Sequence, residues 1–243
     1  MTPAETNPTP VFTSYEDLSR SVDFAIVGPE ASDDRIAQTC EQAKARRVGR
    51  LTVRPSSLDL VTRWMGGSGI SICAAVSYPH GADTTAVKLY AVRDAINRGA
   101  RAIETILSPG RMISRQFRHL ESEIMQMTQE CHRSGVEFIL DFEIGWLPPD
   151  LQAIACKLAR RTEVDVVRAA SLYGPPASAE DVQLLVSKLG ELAKVSTTLP
   201  ETLEAAEAAR VAGVAWFQTA APEPLLTAWD VEVKRRADEL AAG

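Results

Sequence analysis

The chain has 243 residues, of which 45% are hydrophobic and 24% charged, and a formal net charge of −6. That balance belongs to a globular protein, since a disordered chain is poorer in apolar residues. The acidic excess argues against a nucleic-acid partner, and no apolar run reaches the length a membrane span needs. The start of the chain lacks a charged segment followed by an apolar one, so no secretory leader is read and the expected setting is the cytoplasm. Four cysteines, at positions 40, 73, 131 and 156, form no C-x-x-C pair. They are expected as buried thiols, not as a disulfide framework or a zinc site, and no metal or cofactor is expected.

Residues 1–13 are rich in Pro and Thr and read as a flexible lead-in, with residues 14–243 as one domain. From there short apolar runs alternate with amphipathic stretches of ten or more residues. The first run, Val22–Val27, leads through Gly28-Pro29 and a capping Ser32 into Asp33–Arg46. The second is Arg50–Arg54, with Pro55 opening the helix after it. The third, Ile70–Val76, is followed by a helix near Thr84–Asn97, and the fourth, Ala102–Leu107, by one near Ser114–Arg133. The fifth and sixth runs, Val136–Phe142 and Val164–Ala169, precede Pro148–Arg160 and Ser178–Leu189. The seventh and eighth, Leu192–Ser196 and Val214–Gln218, precede Pro200–Val211 and Pro222–Leu240. Gly49, Gly99, Gly135, Gly190 and Gly213 fall where left-handed helix caps are expected.

Eight strand-then-helix units predict a (β/α)8 TIM barrel. The segment after the first run, Gly-Pro-Glu-Ala-Ser, is not a dinucleotide-binding fingerprint, and no phosphate-cradling G-x-x-x-x-G-K-[ST] loop occurs. In a barrel the site lies at the carboxyl ends of the strands, which narrows the candidates. Asp23 lies in the first strand, Thr52 and Arg54 end the second, and His80 follows the third. Glu104 sits within an apolar fourth strand, where a carboxylate is costly unless paired. Asp141 and Glu143 end the fifth strand and suit either acid–base work or the anchoring of cations. Arg168 and Lys194 come from strands six and seven at what the spacing makes an equivalent depth, and Glu104 or Asp141 is the expected counter-charge. The alternative for this constellation is a buried salt-bridge cluster with no chemistry.

Several stretches resemble deoxyribose-phosphate aldolase, a class I aldolase on a (β/α)8 barrel. The resemblance runs from about residue 22 to 221. Its most specific phrase is SYPHGADTTAVKLYAVRDAINRGARAIETIL, similar in order to the family's F-P-x-G…K…A-x-x-x-G-A-x-E-I-D-x-V segment. LTVRPSSL is similar to the V-C-V-x-P segment, and ACKLARRTEVDVVRAAS and AKVSTTLPETLEAAEAARVAGVAWFQTAA fit the last strands. The resemblance implies a Schiff base formed by a strand-six lysine whose pKa a strand-seven lysine lowers. By position the first falls on Arg168, the second on Lys194, the proton-shuttling strand-four Asp on Glu104, the strand-one Asp on Asp23 and the strand-two Cys on Thr52.

Arginine forms no Schiff base, because its guanidinium stays protonated. The implied phosphate glycines are also replaced, by Leu172, Thr197, Thr198 and Gln218, leaving hydroxyls of Ser196, Thr197 and Thr219 as donors. Two expectations follow. In one, Lys194 is the nucleophile of an altered aldolase, with Arg168 depressing its pKa, Glu104 as acid–base group and a small carbonyl or sugar-like substrate. In the other, the barrel is a non-catalytic scaffold that binds a small molecule. Pairing into a homodimer, with the Trp229 region as a contributor, is a further expectation.

Overall fold

The computed structural model describes residues 11–242 and forms a closed barrel of eight parallel strands in sequence order, as the sequence predicts. The strands are β1 (Val22–Ile26), β2 (Arg50–Val53), β3 (Ser71–Val76), β4 (Ala102–Ile106), β5 (Glu137–Asp141), β6 (Val166–Arg168), β7 (Lys194–Thr198) and β8 (Val214–Thr219). The helices are α1 (Tyr15–Arg20), α2 (Asp33–Arg46), α3 (Leu58–Met65), α4 (Thr85–Asn97), α5 (Pro109–Ile113), α6 (Phe117–Arg133), α7 (Pro149–Arg161), α8 (Ala179–Leu189), α9 (Leu203–Val211) and α10 (Glu223–Ala242).

Local chemistry sets the helix ends. Ser32 accepts a hydrogen bond from the Arg35 N–H at the start of α2, with Asp33 and Asp34 in the first turn and Lys44 and Arg46 in the last. Both arrangements favour the helix dipole. Ser178 and Asp181 form a reciprocal capping box on α8. Apolar spacing then turns each helix toward the barrel: Leu120, Ile124, Met127 and Cys131 form the buried stripe of α6. Gly99, Gly135, Gly190 and Gly213 have positive φ, as expected. Gly49 does not; Arg47 takes the left-handed cap of α2. Gly49 is needed for close approach instead, since a Cβ there would lie 2.0 Å from the Arg20 carbonyl oxygen.

Strand pleating divides the interior in two. Phe24, Leu51, Ile103, Phe138, Val167 and Phe217 belong to the main core, between sheet and helices. A separate small cluster, Cys73, Ala102, Ile139 and Val166, lies inside the barrel. Most of the expected lead-in, residues 1–10, lies outside the described residues. Phe12 is buried, its ring edge-on to Phe217 at 6.5 Å and to Trp229 at 6.4 Å. Phe12, read as part of the lead-in, is therefore a core residue, and Trp229, 6% exposed beneath it, offers no exposed pairing surface. Among the described residues no helix is long and apolar enough to cross a membrane.

Candidate functional site

The pleat brings six of the expected residues to one buried centre: Asp23, Thr52, Glu104, Asp141, Arg168 and Ser196. Arg168 is 0% exposed. Its Nη2 donates to Asp23 Oδ2 at 2.7 Å, its Nε donates to Ser196 Oγ at 3.3 Å, and its Nη1 pairs with Glu104 and lies 3.4 Å from Asp141 Oδ1. Thr52 donates to Asp23 Oδ1 at 2.6 Å, and Gln218 Nε2 donates to Glu104 Oε2 at 3.0 Å. Gln218, at a position where the resemblance implies a phosphate glycine, thus points into the barrel and helps fill it.

Three carboxylates around one guanidinium leave an excess of negative charge in a dry place, with Arg50 4.0 Å from Asp23 as the next cation. Protonation resolves the excess. Burial first, and then the charge of Glu104, hold Asp141 well above the usual carboxylate range, against the pull of Arg168. Both Asp141 oxygens and Glu104 Oε1 lack a hydrogen-bond donor, so a proton on Asp141 would supply a bond to its neighbour. Burial also raises Asp23, with Arg168 opposing. For Arg168 burial works against the charge, but Glu104, Asp141 and Asp23 outweigh it and raise its pKa.

Lys194 is elsewhere. Arg168 is in register with Ser196, and Lys194 with Val166, so the two cations differ by two residues, roughly 7 Å of strand. The expectation of equivalent depth fails because β6 begins at Val166 while β7 begins at Lys194 itself. Lys194 stands at the amino end of the barrel with its side chain 59% exposed, and its Nζ donates to Glu137 at 3.2 Å. The same Glu137 pairs with buried Arg50, whose guanidinium stacks over Trp216 at 4.2 Å. The chain's other five lysines, Lys44, Lys88, Lys157, Lys188 and Lys234, all lie on helices, and Lys88 is buried against Glu123 at 2.6 Å. Among the described residues no strand ends in a lysine at its carboxyl end.

The remaining candidates also leave the centre. Thr197 is in register with Phe217, which packs against Phe12 on the outer side of the sheet. Thr219 Oγ1 accepts from the Ala221 N–H and closes the turn after β8. The four cysteines are free and buried, and burial pushes the Cys131 thiol up to about 12, so none is a reactive thiolate. Among the described residues no cluster could hold a metal ion.

No family model matches the chain. Deoxyribose-phosphate aldolase of Treponema denticola is 26% identical over 183 residues, covering 75% of this chain and 85% of that one. The enzyme of the same name from Streptococcus sanguinis is 27% identical over 174 residues, covering 71% and 78%. The chain is thus similar, over about three quarters of its length, to curated deoxyribose-phosphate aldolases. Solved structures agree on the fold. A Coccidioides immitis protein described as a putative deoxyribose-phosphate aldolase superposes with a TM-score of 0.82 at 17% identity, over 88% of this chain and 86% of that one. The Aeropyrum pernix deoxyribose phosphate aldolase, described as a unique tetramer, gives 0.81 at 17% identity, over 89% and 92%.

Over this centre lies a roof of which the sequence singled out only Glu143. Tyr78 overhangs the acids; burial first, and then Glu104, raise its phenol, while a hydrogen bond with Ser171 opposes them. Glu143 is buried, and its Oε1 accepts from the Ser171 N–H at 3.2 Å. Its carboxylate fills the space beside Gly174, where a Cβ would lie 1.7 Å from Oε2. The sequence signal was available in part, in a glycine one loop away from a strand-end glutamate.

The open space is displaced from this centre. A cavity of about 900 Å³ lies over the carboxyl ends of β1, β2 and β3, bounded by Ile26, Arg35, Arg54, Tyr78 and Tyr173, with Ala25 and Ala75 in its lining. None of Glu104, Asp141 and Arg168 lines it.

Proposed function

We propose that the chain is a non-catalytic aldolase-fold barrel that binds a small molecule and forms no Schiff base. The observation that supports this reading is Arg168. It stands where the family resemblance places the nucleophilic lysine, and it is fully buried among Asp23, Glu104 and Asp141. A guanidinium never presents a free amine lone pair at any working pH. Its Nε and Nη2 donate to fixed partners and its Nη1 sits in an ion pair with Glu104, so it serves as the ionic strut of the barrel. Lys194 as an alternative nucleophile is disfavoured by its place at the opposite end, on Glu137. Asp23, Thr52, Asp141 and Ser196, candidate substrate-binding residues from the sequence, take packing roles in this reading, and binding passes to the open cavity over β1–β3. Self-association belongs to the same proposal, because the Aeropyrum pernix relative is described as a tetramer; light scattering of the purified chain reads it directly.

The test is borohydride trapping with acetaldehyde and a panel of small aldehydes and ketones, read by peptide mass spectrometry, with Lys194→Met alongside. The expected result is no site-specific adduct. A reduced adduct on Lys194 that vanishes in the variant would overturn the proposal and restore the altered aldolase.

A further inference from the structure

The cavity over β1–β3 has a chemistry of its own. Arg54 is half-buried in its wall, and its Nη1 and Nη2 donate to the Pro29 and Ala31 carbonyls at 3.1 and 2.8 Å. These bonds hold the loop between β1 and α2, yet they use only two of the five N–H groups of a guanidinium. Its Nε is buried without an acceptor. Among the described residues, neither Arg54 nor Arg35, the second guanidinium on the cavity wall, forms an ion pair with a carboxylate. A half-buried cation without a counter-ion is a costly arrangement that an anionic ligand would relieve.

The rest of the wall limits what that ligand is. Glu30 and Asp83 are exposed wall residues, so two guanidiniums and two solvated carboxylates leave the lip close to neutral overall. A near-neutral lip does not repay the dehydration of a compact dianion such as phosphate, whereas a carboxylate with an apolar body is drawn by the guanidiniums and also gains from the wall. Much of the lining is apolar: Ile26, Pro55 and Leu172. At the mouth Tyr173 stands 52% exposed, edge-on to His80 at 5.4 Å and to Trp146 at 6.2 Å. An exposed aromatic group of this kind favours a planar partner.

We propose that this cavity binds a small organic monocarboxylate with a planar or apolar body, its carboxylate on Arg54 and its body against Leu172 and Tyr173. The inference rests on the small-molecule reading above and gives that reading its ligand class.

Isothermal titration of the full chain with benzoate, its neutral counterpart benzamide and inorganic phosphate tests it. Saturable benzoate binding is expected, with benzamide and phosphate each at least about tenfold weaker. Arg54→Gln should weaken benzoate by about tenfold or more. Because Arg54 also braces a loop, Arg35→Glu serves as a second variant; it sits on the exposed first turn of α2, and circular dichroism checks its fold. It should weaken benzoate by about threefold or more. Absence of benzoate binding, equal binding of benzamide or phosphate, or an unchanged affinity in folded Arg35→Glu would overturn the proposal. A Schiff-base adduct in the trapping experiment would overturn the functional reading alone, since these titrations do not depend on Lys194.

Discussion

Two regions at the carboxyl half of the barrel carry guanidiniums, and they differ in what faces them. Arg168 is wholly buried, and carboxylates and hydroxyls surround it. Arg54 is half-buried beside an open cavity, and only backbone carbonyls hold it. A buried charge enclosed by opposite charges maintains the shape of its surroundings and is out of reach of a ligand. A charge at the edge of water, matched only by dipoles, keeps the capacity to bind. The barrel has thus closed the centre that its family resemblance marks as catalytic, while a separate opening remains over β1–β3.

The strongest way to break this contrast is to remove the strut. Arg168→Met leaves Asp23, Glu104 and Asp141 buried without their cation, and urea denaturation should show a loss of about 3–5 kcal/mol. The same substitution at Arg54 should cost far less stability and mainly affect ligand binding. A smaller effect comes from the roof. In Gly174→Ala the new Cβ would collide with Glu143 Oε2, which must move from its bond to the Ser171 N–H, at a cost of about 1–3 kcal/mol by thermal or urea unfolding.

The raised Asp141 carboxyl sharpens the contrast further through pH. Asp141 has its folded pKa raised above the ordinary 3.8, so between the two values the folded chain binds more protons than the unfolded one. Its contribution is complete below the unfolded pKa and is lost as pH rises through the folded one, at a slope of up to about 1.4 kcal/mol per pH unit. Asp141→Asn, which keeps a donor for Glu104 without a titrating proton, should flatten the fall in stability measured from about pH 5 to about pH 9. The smallest effect belongs to Lys194→Met. Its pair with Glu137 is exposed, so unfolding stability should change by less than about 1 kcal/mol, and benzoate titration should be unchanged.

The same residues show what was legible in the sequence. The eight units, the inward carboxylates Asp23, Glu104 and Asp141, and the need of Arg168 for an anion were all readable, because strand periodicity and the cost of burying charge act locally. The depth of Lys194 was not, because register between neighbouring strands depends on where each strand begins. Gln218 looked like a lost glycine, and only the closed barrel turns it toward Glu104, which is 114 positions away. Phe12 looked like part of a flexible lead-in until Phe217 and Trp229 supplied the apolar surface that buries it.

By itself, then, the sequence determined the (β/α)8 architecture and the absence of a lysine from strand six, since both follow from residue type and local pattern. Tertiary structure alone decided that the polar residues close on one another, and that the open space lies over β1–β3. The reason is geometric: barrel closure brings side chains from strands far apart in sequence within hydrogen-bonding distance, and no local pattern records which of them meet.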